Sequence, residues 1–247
     1  MEMSSLTISG SRLETLAARP VMQVGAFKDA RVHFISLKAC AEREAELLGL
    51  LSPAERERAR EINHHGRRVA YIASRAMLRE ALTDFTDHMV GRNEWVFDTG
   101  LYGKPQVMVP GAPTPRFSLS YTEDVMVIAV SQLFELGVDL ETVPTNSMEI
   151  PWQVLSAAER RFLHTLPVAE QTVEFLRLWT LKEAYTKYYG FGATLDFRGV
   201  EVDLKEVSAS AALPRDQRLN EPMLHQQMMT VDGQEVVFAI AGGRPRI

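Results

Sequence analysis

A chain of 247 residues with 46% hydrophobic content can bury a core without disulfides or structural metals, as one large or two small domains. Its 32 acidic residues exceed its 27 basic ones, and a net charge of −5 argues against a general nucleic-acid binder. Its longest apolar runs are short pieces such as Val125–Val130, far below membrane-spanning length, and its single cysteine, Cys40, rules out an internal disulfide. That cysteine usage, with no basic and apolar leader pattern in the first ten residues, sets the expectation of a cytoplasmic protein.

In chain order, residues 1 to about 30 read weakly, with Pro20 interrupting a short helix over Arg12–Arg19. Val32–Leu37 predicts a strand, and Glu42–Leu51 a helix. A new helix starts at Ser52, with Ser52 as N-cap, Pro53 at N1 and Glu55 at N3. A long amphipathic helix follows from Arg67 to about Thr83, burying Val69, Ile72, Ala76, Leu78 and Leu82. The preceding His64-His65 pair is adjacent in a turn with no further ligands at useful spacing, so it reads as solvated loop and not as a metal site. Trp95–Phe97 and Gln106–Val109 are short strands around turn chemistry at Gly100 and Gly103. Phe117–Tyr121 and Val125–Val130 form a hairpin across Thr122-Glu123-Asp124, and Leu136–Glu141 is a further strand. These strands follow one another too closely for helical crossovers, which excludes a doubly wound parallel sheet. Trp152–Leu166 is helical with a start near Ser156, and Val173–Tyr189 is a second long helix stopped by Gly190. Val200–Leu204 and Glu235–Ala241 are strand-like, and the polar stretch between them carries no assignment.

Leu51-Ser52-Pro53-Ala54-Glu55-Arg56 and Leu155-Ser156-Ala157-Ala158-Glu159-Arg160 share one pattern. Six residues of common helix-start chemistry also recur by chance, but here a strand precedes and a longer helix follows in each case. That order points to two related halves.

Chemistry concentrates in two stretches, Gly137-Val138-Asp139-Leu140-Glu141 and Trp179-Thr180-Leu181-Lys182-Glu183-Ala184-Tyr185-Thr186-Lys187. On a strand, Asp139 and Glu141 share one side while Val138 and Leu140 pack on the other. On a helix, Glu183 and Lys187 stand at i and i+4. Two strand acids and one helix acid make an oxygen cage for a hard divalent cation, and Lys187 can meet a phosphate held by it. Each half alone also reads as solvated surface, a strand end with exposed acids or an ordinary helical ion pair. Lys182 faces away from the Lys187 stripe, so it is open to either a structural or a phosphate-binding part.

The two stretches together, about forty residues apart, resemble the signature of the Sfp-type 4′-phosphopantetheinyl transferases. The resemblance implies an α+β fold of two pseudo-twofold-related lobes, each a small antiparallel sheet with a long helix. On that basis we expect an N-terminal lobe over 1–134 on the coenzyme A nucleotide side, and a C-terminal lobe over 135–247 with the metal and catalytic motifs. It implies a transferase that moves phosphopantetheine from coenzyme A, with Mg²⁺, to a serine of an acyl or peptidyl carrier protein. Fatty acid, polyketide and nonribosomal peptide biosynthesis all use such carriers. The other reading is a carrier-binding module of the same fold without turnover. Asp139, Glu141 and Glu183 then become metal ligands, Glu183 a general base and Lys187 a pyrophosphate contact. Tyr102-Gly103-Lys104-Pro105 looks like the family's Gly-Lys-Pro segment and implies that Lys104 lies against coenzyme A. Phe117-Ser118-Leu119-Ser120 looks like its phosphate-contacting strand, implicating Ser120, and Arg58, Arg68 and Arg75 fall where basic residues occur. Tyr121 stands where the family commonly has histidine; its hydroxyl can donate to a phosphate but brings no charge. A monomer is expected, with the carrier docking on Arg160, Arg161 and Arg177 beside Phe162, Leu163 and Phe175.

Overall fold

The computed structural model describes residues 24–99, 104–109, 114–191, 195–211 and 220–244, with the backbone of Ser5 and Leu6. Its first part runs β1 (Ser5–Leu6), β2 (Arg31–Ser36), α1 (Leu37–Glu42), α2 (Glu44–Gly49), α3 (Pro53–Glu61), α4 (His65–Phe85), β3 (Val96–Thr99), β4 (Pro105–Met108), β5 (Arg116–Tyr121) and β6 (Val125–Ser131). Its second part runs β7 (Glu135–Thr142), α5 (Ala157–His164), α6 (Val168–Tyr189), β8 (Val200–Asp203), β9 (Ser208–Ala211), β10 (Met223–Val231) and β11 (Gln234–Gly243). Among the described residues, 3₁₀ turns lie at Arg92–Glu94, Trp152–Val154 and Phe197–Gly199.

One sheet has the order β2-β6-β5, and the other β1-β10-β11-β7, with β1 alone parallel to its neighbour. β3–β4 and β8–β9 are separate antiparallel hairpins. The series β2, α3, α4, 3₁₀ turn, β3, β4, β5, β6 therefore recurs as β7, α5, α6, 3₁₀ turn, β8, β9, β10, β11. Sheet order repeats with it, β2-β6-β5 matching β7-β11-β10.

The repeat extends to individual hydrogen bonds. Ser52 and Ser156 each close a capping box with the glutamate three residues on. Arg56 Nε donates to Leu51 O at 2.9 Å, and Arg160 Nε to Leu155 O at 3.1 Å. Each capping glutamate also receives a buried cation from the following long helix: Arg79 Nη2 on Glu55 Oε2 at 2.9 Å, Lys182 Nζ on Glu159 Oε2 at 2.8 Å. Arg79 further donates to the carbonyls of Arg92 and Trp95, and Lys182 to those of Phe197 and Val200. In both lobes these are the first residue of a 3₁₀ turn and the residue that follows it. A buried cation needs such a complete set of acceptors, because desolvation without it costs several kcal/mol. Lys182 is thus structural.

The layers stack as helix, sheet, sheet, helix. Val127 and Ala129 of β6 face Val138, Leu140, Phe238 and Ile240 across the gap between the sheets. Met126 and Ile128 point the other way, onto Ile72 and Met77 of α4. Ala239 and Ala241 of β11 meet Leu181, Ala184 and Tyr185 of α6. β6 is buried on both faces, which is why it reads as a continuous apolar run. Each such buried aliphatic or aromatic side chain contributes roughly 1.5–3 kcal/mol.

Between the sheets, β5 and β7 lie side by side, stitched by hydroxyls. Val138 N donates to Ser118 Oγ at 3.0 Å, Ser120 Oγ to Asp139 Oδ1 at 2.8 Å, and Thr142 Oγ1 to Thr122 Oγ1 at 3.1 Å. α6 crosses β7 at Gly137, where an added Cβ would sit 2.0 Å from Ala184 O and 2.3 Å from Tyr188 N. The glycine that opens the acidic motif is therefore the contact point that lets the helix backbone reach the strand. α6 ends at Gly190, whose φ of +80° supplies the left-handed cap.

Three expectations change. In place of one helix over Glu42–Leu51, helix starts at Leu37 and is broken at Arg43, φ −119°, into α1 (Leu37–Glu42) and α2 (Glu44–Gly49). The polar stretch before Glu235 holds β9 and β10; β10 is half-exposed and takes its register from β11, so no alternation marks it. Lys182 is not a phosphate ligand, because its ammonium is buried among protein acceptors. Arg12–Arg19, Gly100 and Gly103 lie outside the described residues. Among the described residues no helix is long and apolar enough to cross a membrane.

Candidate functional site

The period of two in β7 turns Asp139 and Glu141 away from the inter-sheet core and towards α6, whose own period places Glu183 and Lys187 on the facing side. Asp139 is 3% exposed. Its Oδ1 accepts from Ser120 Oγ and from Lys187 Nζ, while its Oδ2 is buried with no partner among the described residues. Lys187 Nζ also donates to Ser120 Oγ at 2.9 Å, so the three form a closed triangle. Glu141 Oε1 accepts from Trp179 Nε1 at 3.1 Å.

Burial pushes all three carboxyls above the ordinary range. For Asp139 this outweighs the pull of Lys187 and Ser120. Glu141 is pushed up to about 7 by burial and then by the charges of Asp139 and Glu183, against the Trp179 hydrogen bond and Lys187. Glu183 is raised by burial and by Asp139, against Lys187. Three acids thus share Lys187 in a poorly solvated place, an arrangement short of positive charge. Among the described residues no three His, Cys, Asp or Glu side chains gather closely enough to hold a metal; Lys187 and Ser120 take one oxygen of Asp139, and Trp179 takes one of Glu141. In kind the donors fit a hard divalent cation: all are oxygens, and the buried Asp139 Oδ2 lacks the partner that such an ion would be.

This raised carboxyl has a measurable consequence. Between the ordinary glutamate value of 4.5 and about 7 the folded protein holds the Glu141 proton that the unfolded chain has lost, so stability falls as pH rises through that window. In EDTA, warming from about pH 5.5 to about pH 7.5 should show a larger loss of melting temperature in the wild type than in Glu141→Gln. Equal losses would place Glu141 in a better-solvated environment than this one.

Beside the acids lies a cavity of about 380 Å³ lined by Tyr71, Ser74, Arg75, Lys104, Tyr121 and Lys187, among others. Arg75 lies over the rings of Tyr71 and Phe97, 5.6 and 5.8 Å from their centroids, and its Nε is buried without a partner among the described residues. Lys104 Nζ donates to Leu136 O at 2.8 Å, Glu135 Oε2 at 3.2 Å and Tyr188 O at 3.4 Å, and burial lowers its pKa. It therefore ties β7 and the end of α6 together while its stem forms part of the wall. Tyr121 is 48% exposed and also borders a second hollow of about 460 Å³ with His64, Arg67 and Thr122.

The structure brings Arg75, Lys104, Tyr121 and Lys187 to one cavity, with Ser120 beneath it on Asp139. It does not bring Arg58, which pairs with Glu61 at 2.7 Å on the exposed face of α3. Nor does it bring Arg68, which pairs with Glu44 at 2.8 Å. Tyr71 and Ser74 were not anticipated, although they stand four and one residues before Arg75, and the i, i+4 relation of Tyr71 to Arg75 was the available signal. Of the expected docking patch, Leu163 and Phe175 are core, Arg177 bonds Glu174 and Gln226, and Arg160 bonds Leu155 O; Arg161 and Phe162 are exposed.

Residues 135–241, from the first residue of β7 almost to the end of β11, match the family model of the 4′-phosphopantetheinyl transferase superfamily. The chain is 26% identical over 165 residues to the 4′-phosphopantetheinyl transferase Sfp of Bacillus subtilis (strain 168), covering 67% of this chain and 71% of that protein. It is 31% identical over 136 residues to the 4′-phosphopantetheinyl transferase pptA of Paxillus involutus, covering 47% and 52%. It is 31% identical over 150 residues to the 4′-phosphopantetheinyl transferase HetI of Nostoc sp. (strain PCC 7120), covering 60% and 62%. The matched stretch contains both acidic motifs, and each of these proteins to which the chain is similar is a 4′-phosphopantetheinyl transferase.

Proposed function

We propose that this chain transfers 4′-phosphopantetheine from coenzyme A to a serine of an apo carrier protein in a Mg²⁺-dependent reaction, releasing 3′,5′-ADP. The observation that carries the proposal is Asp139 bonded to Lys187, with Glu141 and Glu183 close enough to feel both charges, beside a cavity lined by Lys187, Arg75 and Tyr121. Asp139, Glu141 and Glu183 are the residues that would hold the cation. When bound, it neutralises charge on the pyrophosphate oxygens as the leaving group departs. Glu183 accepts the proton of the incoming serine hydroxyl; its raised pKa makes it a better base than an ordinary glutamate. The serine oxygen bonds to the phosphorus nearest the pantetheine, the bond to the bridging oxygen breaks, and that oxygen leaves with the nucleotide. Lys187 stabilises the pyrophosphate, and Arg75 with Tyr121 binds the nucleotide phosphates. In this reading the lobes over 1–134 and 135–247 complete the site within one chain, so a monomer is the working unit.

Incubation with coenzyme A, Mg²⁺ and an apo carrier protein, followed by mass spectrometry of the carrier, tests the proposal. A phosphopantetheine mass increment that disappears in EDTA is expected; an unmodified carrier that still binds the protein would mark a binding module instead. Tyr121→Phe should raise the KM for coenzyme A about 5–30-fold if the hydroxyl bonds a phosphate, and Tyr121→His should recover it by supplying a donor with partial charge. An unchanged KM in Tyr121→Phe would reduce Tyr121 to a wall of the cavity.

A further inference from the structure

Each of the two acids of β7 has one oxygen held by a neutral side-chain donor, Asp139 with Lys187 on that same oxygen as well. Asp139 has Oδ1 engaged by the Ser120 hydroxyl at 2.8 Å, and Glu141 has Oε1 engaged by the Trp179 indole N–H at 3.1 Å. Asp139 Oδ2 is left buried without a partner among the described residues. Apart from Lys187, which shares Asp139 Oδ1, the side-chain donors to the two acids are neutral. A neutral donor fixes a carboxylate without cancelling its charge, whereas a second lysine would compete with a cation for it.

Trp179 is itself immobilised. Its ring stacks at 13° on Phe175, with centroids 6.4 Å apart, and contacts the Phe197 ring at 4.8 Å. Phe197 opens the 3₁₀ turn whose carbonyls bind the buried Lys182 ammonium, and Lys182 in turn rests on the capping glutamate Glu159. A chain of fixed groups thus runs from the start of α5 through Lys182, Phe197 and Trp179 to Glu141. The first lobe has the same cation, turn and cap but alanine, Ala76, at the position equivalent to Trp179, three residues before its own cation Arg79.

We propose that Trp179 and Ser120 are positioning residues for the cation: each occupies one oxygen of a β7 carboxylate and aims the other into the site. This rests on reading Asp139 and Glu141 as cation ligands. Neither positioning residue touches the ion or the reacting atoms.

The test uses Mn²⁺ as probe, with binding followed by electron paramagnetic resonance of the full chain, coenzyme A present and carrier absent, so that no turnover is involved. Trp179→Phe and Ser120→Ala should each weaken Mn²⁺ binding about tenfold, with coenzyme A binding in EDTA unchanged in Trp179→Phe. In a Glu141→Ala background, Trp179→Phe should have no further effect, because its target carboxylate has gone. Unchanged Mn²⁺ affinity in Trp179→Phe, or an equal loss with and without Glu141, overturns the positioning role. If instead Asp139→Asn and Glu141→Gln leave Mn²⁺ affinity intact, the ligand reading itself fails and the proposal goes with it. Should Trp179→Phe fold poorly, the wild-type indole ¹H–¹⁵N resonances decide. Addition of Mg²⁺ should shift the Trp179 signal while that of Trp95, bonded to Thr83 in the first lobe, stays still; an unmoved Trp179 signal overturns the role.

Discussion

Asp139→Ala should lower carrier modification by about 10²–10³-fold or more while the protein remains folded. Asp139 is the most buried of the three acids, and both of its oxygens bear on the site, one held by Ser120 and Lys187 and the other unpartnered among the described residues. Its removal leaves Lys187 bonded to Ser120, so no cation is stranded. It also relieves the repulsion that raises Glu141 and Glu183. The melting temperature in EDTA should therefore hold or rise, while turnover measured by carrier mass collapses. A folded Asp139→Ala protein that modifies its carrier at near-normal rate would refute the assignment of this acid to the cation.

Lys182→Ala should cost about 3–5 kcal/mol of folding free energy, as expected for breaking a buried ion pair from one side. Lys182 is fully buried, and its loss leaves the Glu159 carboxylate, 4% exposed, without its counter-charge, and the carbonyls of Phe197 and Val200 without their donor. Glu159 would keep the Ser156 and Val202 N–H groups, which limits the damage. The repeat makes a second expectation. Arg79→Ala strips the same set of groups in the first lobe, namely Glu55 Oε2 and the carbonyls of Arg92 and Trp95, so its cost should be of the same order. Urea denaturation of both variants measures the two values. A loss below about 1 kcal/mol in either would mean that water reaches these groups and that the pair is no anchor of the lobe.

Much of the site could be read from residues near one another in the chain. Gly137 to Glu141 specify a strand with both acids on one side, and Trp179 to Lys187 specify a helix presenting Glu183 and Lys187 together, because side-chain direction follows from the local period alone. The caps at Ser52 and Ser156 were legible for the same reason, since a capping box spans four residues. Even the division into related halves showed in six residues at each cap.

Distance in the chain marks what was not legible. Ser120 meets Asp139 across 19 residues, Trp179 meets Glu141 across 38, and Lys104 reaches Tyr188 across 84; each contact exists only because β5 lies beside β7 and α6 crosses β7 at Gly137. Arg58, Arg68 and Arg75 were equivalent as basic residues on helices, and only packing separated them. Two found glutamates on the surface, while Arg75 was turned over Tyr71 and Phe97 into the cavity. β10 was invisible because its register comes from β11 and not from its own polar sequence. Local sequence by itself determined which groups this protein carries and which way each points from its own strand or helix. Tertiary structure decided which of them meet, because those contacts depend on close packing between segments far apart in the chain, which no local period encodes.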